Sequence, residues 1–116
     1  MSPALDLPPS YLDTVRRLLR SYVPAAEVWA YGSRVRHEAH EGSDLDLVVR
    51  NPEDLSRPQN DLWELREAFS ESEIPILVDV FDWARIPEEF RREIARAHVP
   101  VWEGSALATS GSSTGS

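Results

Sequence analysis

The sequence contains no cysteine. Disulfides, thiolate zinc sites and cysteine nucleophiles are therefore excluded, and the composition is compatible with a reducing cytosol. No apolar run approaches the length needed to cross a bilayer, and the N-terminus lacks a basic segment followed by an apolar one. The expectation is a cytoplasmic protein that does not engage a membrane. An excess of basic residues is missing too: 12 Lys+Arg stand against 20 Asp+Glu, a formal net charge of -8. Modules that grip duplex phosphates usually carry the opposite balance, so direct nucleic-acid binding is not expected. An acidic chain can still take a nucleotide when a cation offsets the repulsion. Its field also favours a partner with a basic face. The glycine-rich run with Lys-Ser/Thr that marks a P-loop is absent as well.

What is present fits one small soluble domain: 116 residues, 41% hydrophobic and 28% charged. Residues 1–9, with Pro3, Pro8 and Pro9, read as an extended lead-in. Residues 10–103 read as the domain. Residues 104–116 are Ser, Thr, Gly and Ala with a single Leu, too little apolar surface to order themselves, as in a flexible tail or an expression remnant.

Within the domain, Leu12, Val15, Leu18, Leu19 and Tyr22 recur at helical spacing, with Ser10 placed to cap the helix and Pro24 to close it. Strands are predicted over 27–31, 44–50 and 76–81. A second helix is predicted over 60–72 on Leu62, Leu65, Ala68 and Phe69, and a third over 87–97, with Pro87 in its first turn. Residues 99–102 read as a last strand, confined to a sheet edge by Pro100. Asp82 reads as a helix cap, the four tryptophans as core or half-buried residues, and Arg91, Arg92 and Arg96 as the wet face of the last helix. The order of elements gives an α+β (α/β-like) domain, a small mixed β-sheet flanked by helices.

The chemistry concentrates in one stretch. Tyr31-Gly32-Ser33 ends the first strand, ten residues follow, and Asp44-Leu45-Asp46 opens an apolar run. Residues two apart on a strand share a face, so the two carboxylates can converge on a hard cation. Magnesium takes oxygen ligands and keeps room for water and phosphate. Asp79, inside Ile76-Leu77-Val78-Asp79-Val80-Phe81, is costly to bury unpaired. If its strand lies beside the one holding Asp46, it reaches the same metals as a third ligand and candidate base. Gly32 permits a tight turn and a close approach of backbone to phosphate. Ser33 can donate to a phosphate oxygen, and Arg34 and Arg36 can offset charge on leaving pyrophosphate. The plainer reading makes the aspartates polar strand ends, Ser33 a turn residue and the arginines solvated surface. His37, His40 and His98 are too dispersed for a zinc site.

Gly-Ser, ten residues, Asp-x-Asp and a later strand aspartate resemble the DNA polymerase beta-like nucleotidyltransferase superfamily, and most closely its minimal nucleotidyltransferase (MNT) branch. The resemblance spans roughly residues 10–103. It implies the polymerase beta-like fold and transfer of AMP from ATP, with two magnesium ions held by Asp44, Asp46 and Asp79 and the triphosphate held by Gly32 and Ser33. Some members act as antitoxins beside a HEPN-type ribonuclease toxin, adenylylating a toxin tyrosine. The resemblance therefore implies such a toxin as partner, in a homo- or hetero-oligomer. Two other readings stay open: an antitoxin that works by binding alone, and nucleotidyl transfer to a small molecule. Where many relatives have a small-residue turn after the Ser-Arg pair, this chain has Val35-Arg36-His37.

Overall fold

The computed structural model describes residues 5–36, 43–59 and 62–104. Helix α1 (Pro9–Tyr22) leads to β1 (Glu27–Tyr31), the single-turn α2 (Ser33–Arg36) and β2 (Leu45–Arg50). Then come α3 (Leu62–Ser70), β3 (Val78–Asp82), a 3-10 turn (Trp83–Arg85), α4 (Glu88–Arg96) and β4 (His98–Glu103). The strands form one mixed sheet in the order β3-β2-β1-β4. β1 is antiparallel to both its neighbours, and β2 runs parallel to β3. The α+β fold and the adjacency of β2 and β3 follow the sequence pattern. No described helix is long and apolar enough to cross a membrane.

Strand alternation divides the sheet into two unlike faces. On one, Val28 and Ala30 of β1, Leu45, Leu47 and Val49 of β2, and Val78 and Val80 of β3 meet α1 and α3. Those helices contribute Val15, Leu19, Leu62, Leu65 and Phe69, all buried. On the other face lie Trp29, Tyr31 and Val48, covered by Trp83, Ile86, Phe90 and Ile94 from the 3-10 turn and α4. Fully burying a Leu or Val side chain contributes about 1.5–3 kcal/mol, so the first face supplies most of the stabilisation.

The chain's basic residues are all arginine, and several spend their planar forks on backbone carbonyls. On edge strand β3, Arg66 donates to the Val80 carbonyl at 3.0 and 2.7 Å. On edge strand β4, Arg16 donates to the Val101 carbonyl at 3.2 Å. Both edges thus have a carbonyl occupied and a charge nearby, which discourages pairing with another strand.

Several details depart from expectation for identifiable reasons. Ser10 lies inside α1 rather than capping it, because Pro8 takes the N-cap position without a side-chain bond and Pro9 starts the helix. β3 begins at Val78, leaving Leu77 exposed. Trp63 is 61% exposed, because Leu62, Leu65 and Phe69 take the inward face of α3. Arg91 is half-buried and donates to the carbonyls of Trp83 and Ala84, so it ties α4 to the 3-10 turn instead of facing water. Asp82 does cap, accepting from the Ala84 N–H at 3.2 Å. Residues 1–4 of the lead-in, the tail from residue 105, and His37 and His40 lie outside the described residues.

Candidate active site

Pairing register builds the site. Tyr31 at the end of β1 stands opposite Asp46 on β2, and Asp46 stands opposite Asp79 on β3. Residues directly opposite in a sheet project to the same face. The three side chains therefore form one row on the face covered by α4. They line a cleft of about 340 Å³ together with Gly32, Phe81 and, from α4, Phe90 and Glu93. Asp46 and Asp79 are half-buried.

Gly32 has a positive φ of 87°, a region that disfavours side chains. A Cβ there would also lie 2.5 Å from Asp46 Oδ2. Glycine thus serves two ends: it turns the chain from β1 into α2, and it lets the Asp46 carboxylate rest against the backbone. Ser33 opens α2 and is half-buried beside this turn.

Of the expected residues, Gly32, Asp46 and Asp79 come together in the cleft. Asp44 sits just ahead of β2, is exposed, and is not among the residues that line the cleft. Among the described residues no three His, Asp or Glu side chains form a preassembled metal centre. The donor set nonetheless fits magnesium: hard carboxylate oxygens, two of them half-buried on one face, with positions left for water and phosphate. It does not fit zinc, which prefers nitrogen and sulfur ligands.

Arg34 is turned inward and is 4% exposed. Its Nε and Nη2 donate to the Ser43 carbonyl at 3.0 and 2.8 Å, and its Nη1 donates to the Asp6 carbonyl at 2.7 Å. These bonds hold the backbone immediately ahead of Asp44. The side chain of Arg36 lies outside what the structure describes.

The sequence pattern includes Tyr31 in the Tyr31-Gly32-Ser33 stretch but gives it no role, and it does not mark Phe90 or Glu93 as site residues. A place for Tyr31 in the site follows from its position beside Gly32 and from alternation, which puts it on one face with Trp29. Phe90 and Glu93 reach the cleft only through the docking of α4, which no local signal encodes. Burial pushes the Tyr31 phenol well above its ordinary pKa, and the Asp46 and Asp79 carboxylates push it the same way. It stays protonated across the physiological range.

A second cluster occupies the same face further along β2. The Arg50 guanidinium lies 3.7 Å from the ring centre of Trp29 and 4.5 Å from that of Trp83. Its Nε is 3.3 Å from a Glu27 carboxylate oxygen. That nitrogen has no hydrogen-bond partner of good geometry, so the contact with Glu27 is Coulombic rather than a well-aligned hydrogen bond. His98 stacks on Trp29, with the ring centres 3.7 Å apart.

Comparison with known proteins gives concordant results. A family model described as a nucleotidyltransferase domain matches residues 12–102. The sequence is 42% identical over 99 residues, 85% of each chain, to the probable protein adenylyltransferase MntA of Haemophilus influenzae. The fold is similar to the crystal structure of a toxin-antitoxin with AMP-PNP, with a TM-score of 0.64 and 20% identity, covering 78% of this chain and 72% of that one. It is also similar to a mutant MntA-HpeT toxin-antitoxin, with a TM-score of 0.63 and 18% identity over 83% of this chain and 78% of that one. At such identities the structural matches speak to the fold.

Proposed function

The chain belongs to the nucleotidyltransferase domain family, and from that premise we propose that it transfers AMP from ATP to a tyrosine hydroxyl of a cognate HEPN-type ribonuclease toxin, acting in the cytoplasm as its antitoxin. The observation that carries the reading is the row formed by Asp46 and Asp79 on adjacent parallel strands, with Gly32 pressed against Asp46. The identity to a probable protein adenylyltransferase supports the protein acceptor. The excess of acidic residues suits a basic ribonuclease surface.

Each residue then has a task. Gly32 and Ser33 hold the triphosphate at the turn into α2, and Arg36 adds positive charge toward the pyrophosphate. Asp44, Asp46 and Asp79 are the proposed ligands for two magnesium ions. When bound, magnesium neutralises phosphate charge and acidifies the acceptor hydroxyl. Arg34 keeps the Ser43–Asp44 backbone in place from behind. The acceptor oxygen forms a bond to the α-phosphorus as the bond to pyrophosphate breaks. Pyrophosphate leaves with the electron pair, and the acceptor's proton passes to the Asp79 carboxylate.

Intact mass of the toxin, co-expressed with this protein, tests the reading. The expected result is a gain of roughly 329 Da per AMP unit, a figure set by the chemistry of the transferred group. The gain disappears with Asp46→Asn. A toxin that is silenced without any mass gain would overturn catalysis and leave neutralisation by binding.

A further inference from the structure

Tyr31 precedes Gly32 and shares the cross-strand row of Asp46 and Asp79. The residue is 7% exposed, and its hydroxyl is buried with no hydrogen-bond partner among the described residues. Two of its neighbours offer it no acceptor. Phe90 meets the ring edge-on, with centroids 5.5 Å apart. His98, opposite Tyr31 on β4, places Nδ1 on the carbonyls of Ile94 and Ala95. A phenylalanine would fill the same space with no polar atom to bury. An unsatisfied buried hydroxyl costs about 1–3 kcal/mol, so its retention needs a reason.

The cleft supplies one. Tyr31 lines it beside Gly32, Asp46 and Asp79, the groups to which the proposed function assigns triphosphate and metal. The unpartnered hydroxyl belongs to a residue that lines the cleft and adjoins the Gly32 turn, and a phosphate oxygen brought in by the ligand is an acceptor for its proton. We propose that Tyr31 is a nucleotide-binding residue whose hydroxyl donates to a phosphate oxygen of the metal-bound triphosphate. This rests on the functional reading above and adds a contact that the Gly-Ser and Asp-x-Asp pattern does not contain. The bond forms only in the loaded site, so the empty protein carries an unmet donor and the complex does not.

Tyr31→Phe tests this on the full chain by calorimetric titration with α,β-methylene ATP and magnesium, a nucleotide that cannot transfer AMP. A hydrogen bond to a charged group is worth about 1.5–3 kcal/mol, so affinity is expected to fall roughly 10-fold or more. The melting temperature of the ligand-free protein is expected to hold or rise, because no bond is lost there. Manganese titrated alone is expected to bind both proteins equally. Equal nucleotide affinity, a melting temperature several degrees lower without ligand, or an equal loss with manganese alone would each overturn the proposal. Failure of the parent protein to bind the analogue at all would instead sink the functional reading, and the assignment of Tyr31 with it.

Discussion

The two faces of the sheet are built from the same strands and obey different rules. Leu47 and Asp46 are neighbours on β2. Leu47 is fully buried among α1 and α3 in a cluster made wholly of apolar side chains. Asp46 is half-buried in a cleft with a second carboxylate opposite it. The first face stabilises the fold by excluding water. The second holds charge where water, metal and phosphate can reach it, and a single change of direction along the backbone separates them. The described strands form one sheet, so one layer serves as both core wall and floor of the cleft.

Adjacent substitutions break this comparison most sharply. Asp46→Asn is expected to lower the rate of AMP transfer by about 10³-fold, equivalent to about 4 kcal/mol of transition-state stabilisation, with urea stability changed by less than about 1 kcal/mol. Leu47→Ala is expected to cost about 2–5 kcal/mol of stability by leaving a cavity in the sealed face, while activity per folded molecule stays near that of the parent. Parallel urea titrations and transfer assays on the two proteins check both. If Leu47→Ala lost activity with its fold intact, the division of labour between the faces would fail.

Arg34 belongs to neither face and sharpens the contrast from the end of the sheet. Removing its fork in Arg34→Met leaves the carbonyls of Ser43 and Asp6 without those donors, and a loss of about 1–3 kcal/mol of stability is expected. Activity should fall as well, because Ser43 leads directly into Asp44. Arg34→Lys keeps the charge but not the paired donors, so it should recover only part of either loss. Full recovery with lysine would show that charge alone is at work at this position.

Much of this division can be read in the sequence because it depends on local periodicity. Alternation in Leu45-Asp46-Leu47 separates core from carboxylate, and an aspartate in the apolar run around Asp79 asks for a partner on the next strand. The bounds of β1 follow from the turn residues that flank it. What could not be read depends on distant parts of the chain. Arg34 looks like one more exposed cation until residues 6 and 43 fold over it. Glu93 and Phe90 look like ordinary helix positions until α4 docks across the cleft. Trp63 reads as core by its chemistry, yet its angular position on α3 turns it to solvent. The strand signal in 76–81 begins too early because Ile76 and Leu77 are apolar, yet the register with β2 begins at Val78 and only the Leu77 carbonyl reaches β2, accepting from the Leu45 N–H at 2.9 Å. Asp44 shares the spacing of Asp46 and falls one residue outside the strand that would have held it.

The smallest expected effect lies on the cleft face, beyond the carboxylates, at Arg50. Its guanidinium packs against both Trp29 and Trp83 and lies beside Glu27. Burial lowers its pKa from the ordinary arginine value, and Glu27 partly opposes that shift; arginine remains protonated throughout the range in which proteins fold. Cation–π contacts contribute about 0.5–2 kcal/mol each depending on desolvation, and the burial cost of the charge cancels part of that. Arg50→Met keeps an unbranched, polarizable side chain against the two rings and is expected to lower stability by about 1 kcal/mol, read as a shift of the urea midpoint at constant slope. A double-mutant cycle with Glu27→Gln separates the ring contacts from the ion pair. Coupling near zero would assign the loss to the tryptophans. Coupling equal to the whole effect would make Glu27 the reason for a charge on this face. In either case AMP transfer should be unchanged, because the arginine lies away from the row of Tyr31, Asp46 and Asp79. A coupled loss of activity would mean that the cleft and the tryptophan cluster are one structural unit and not two.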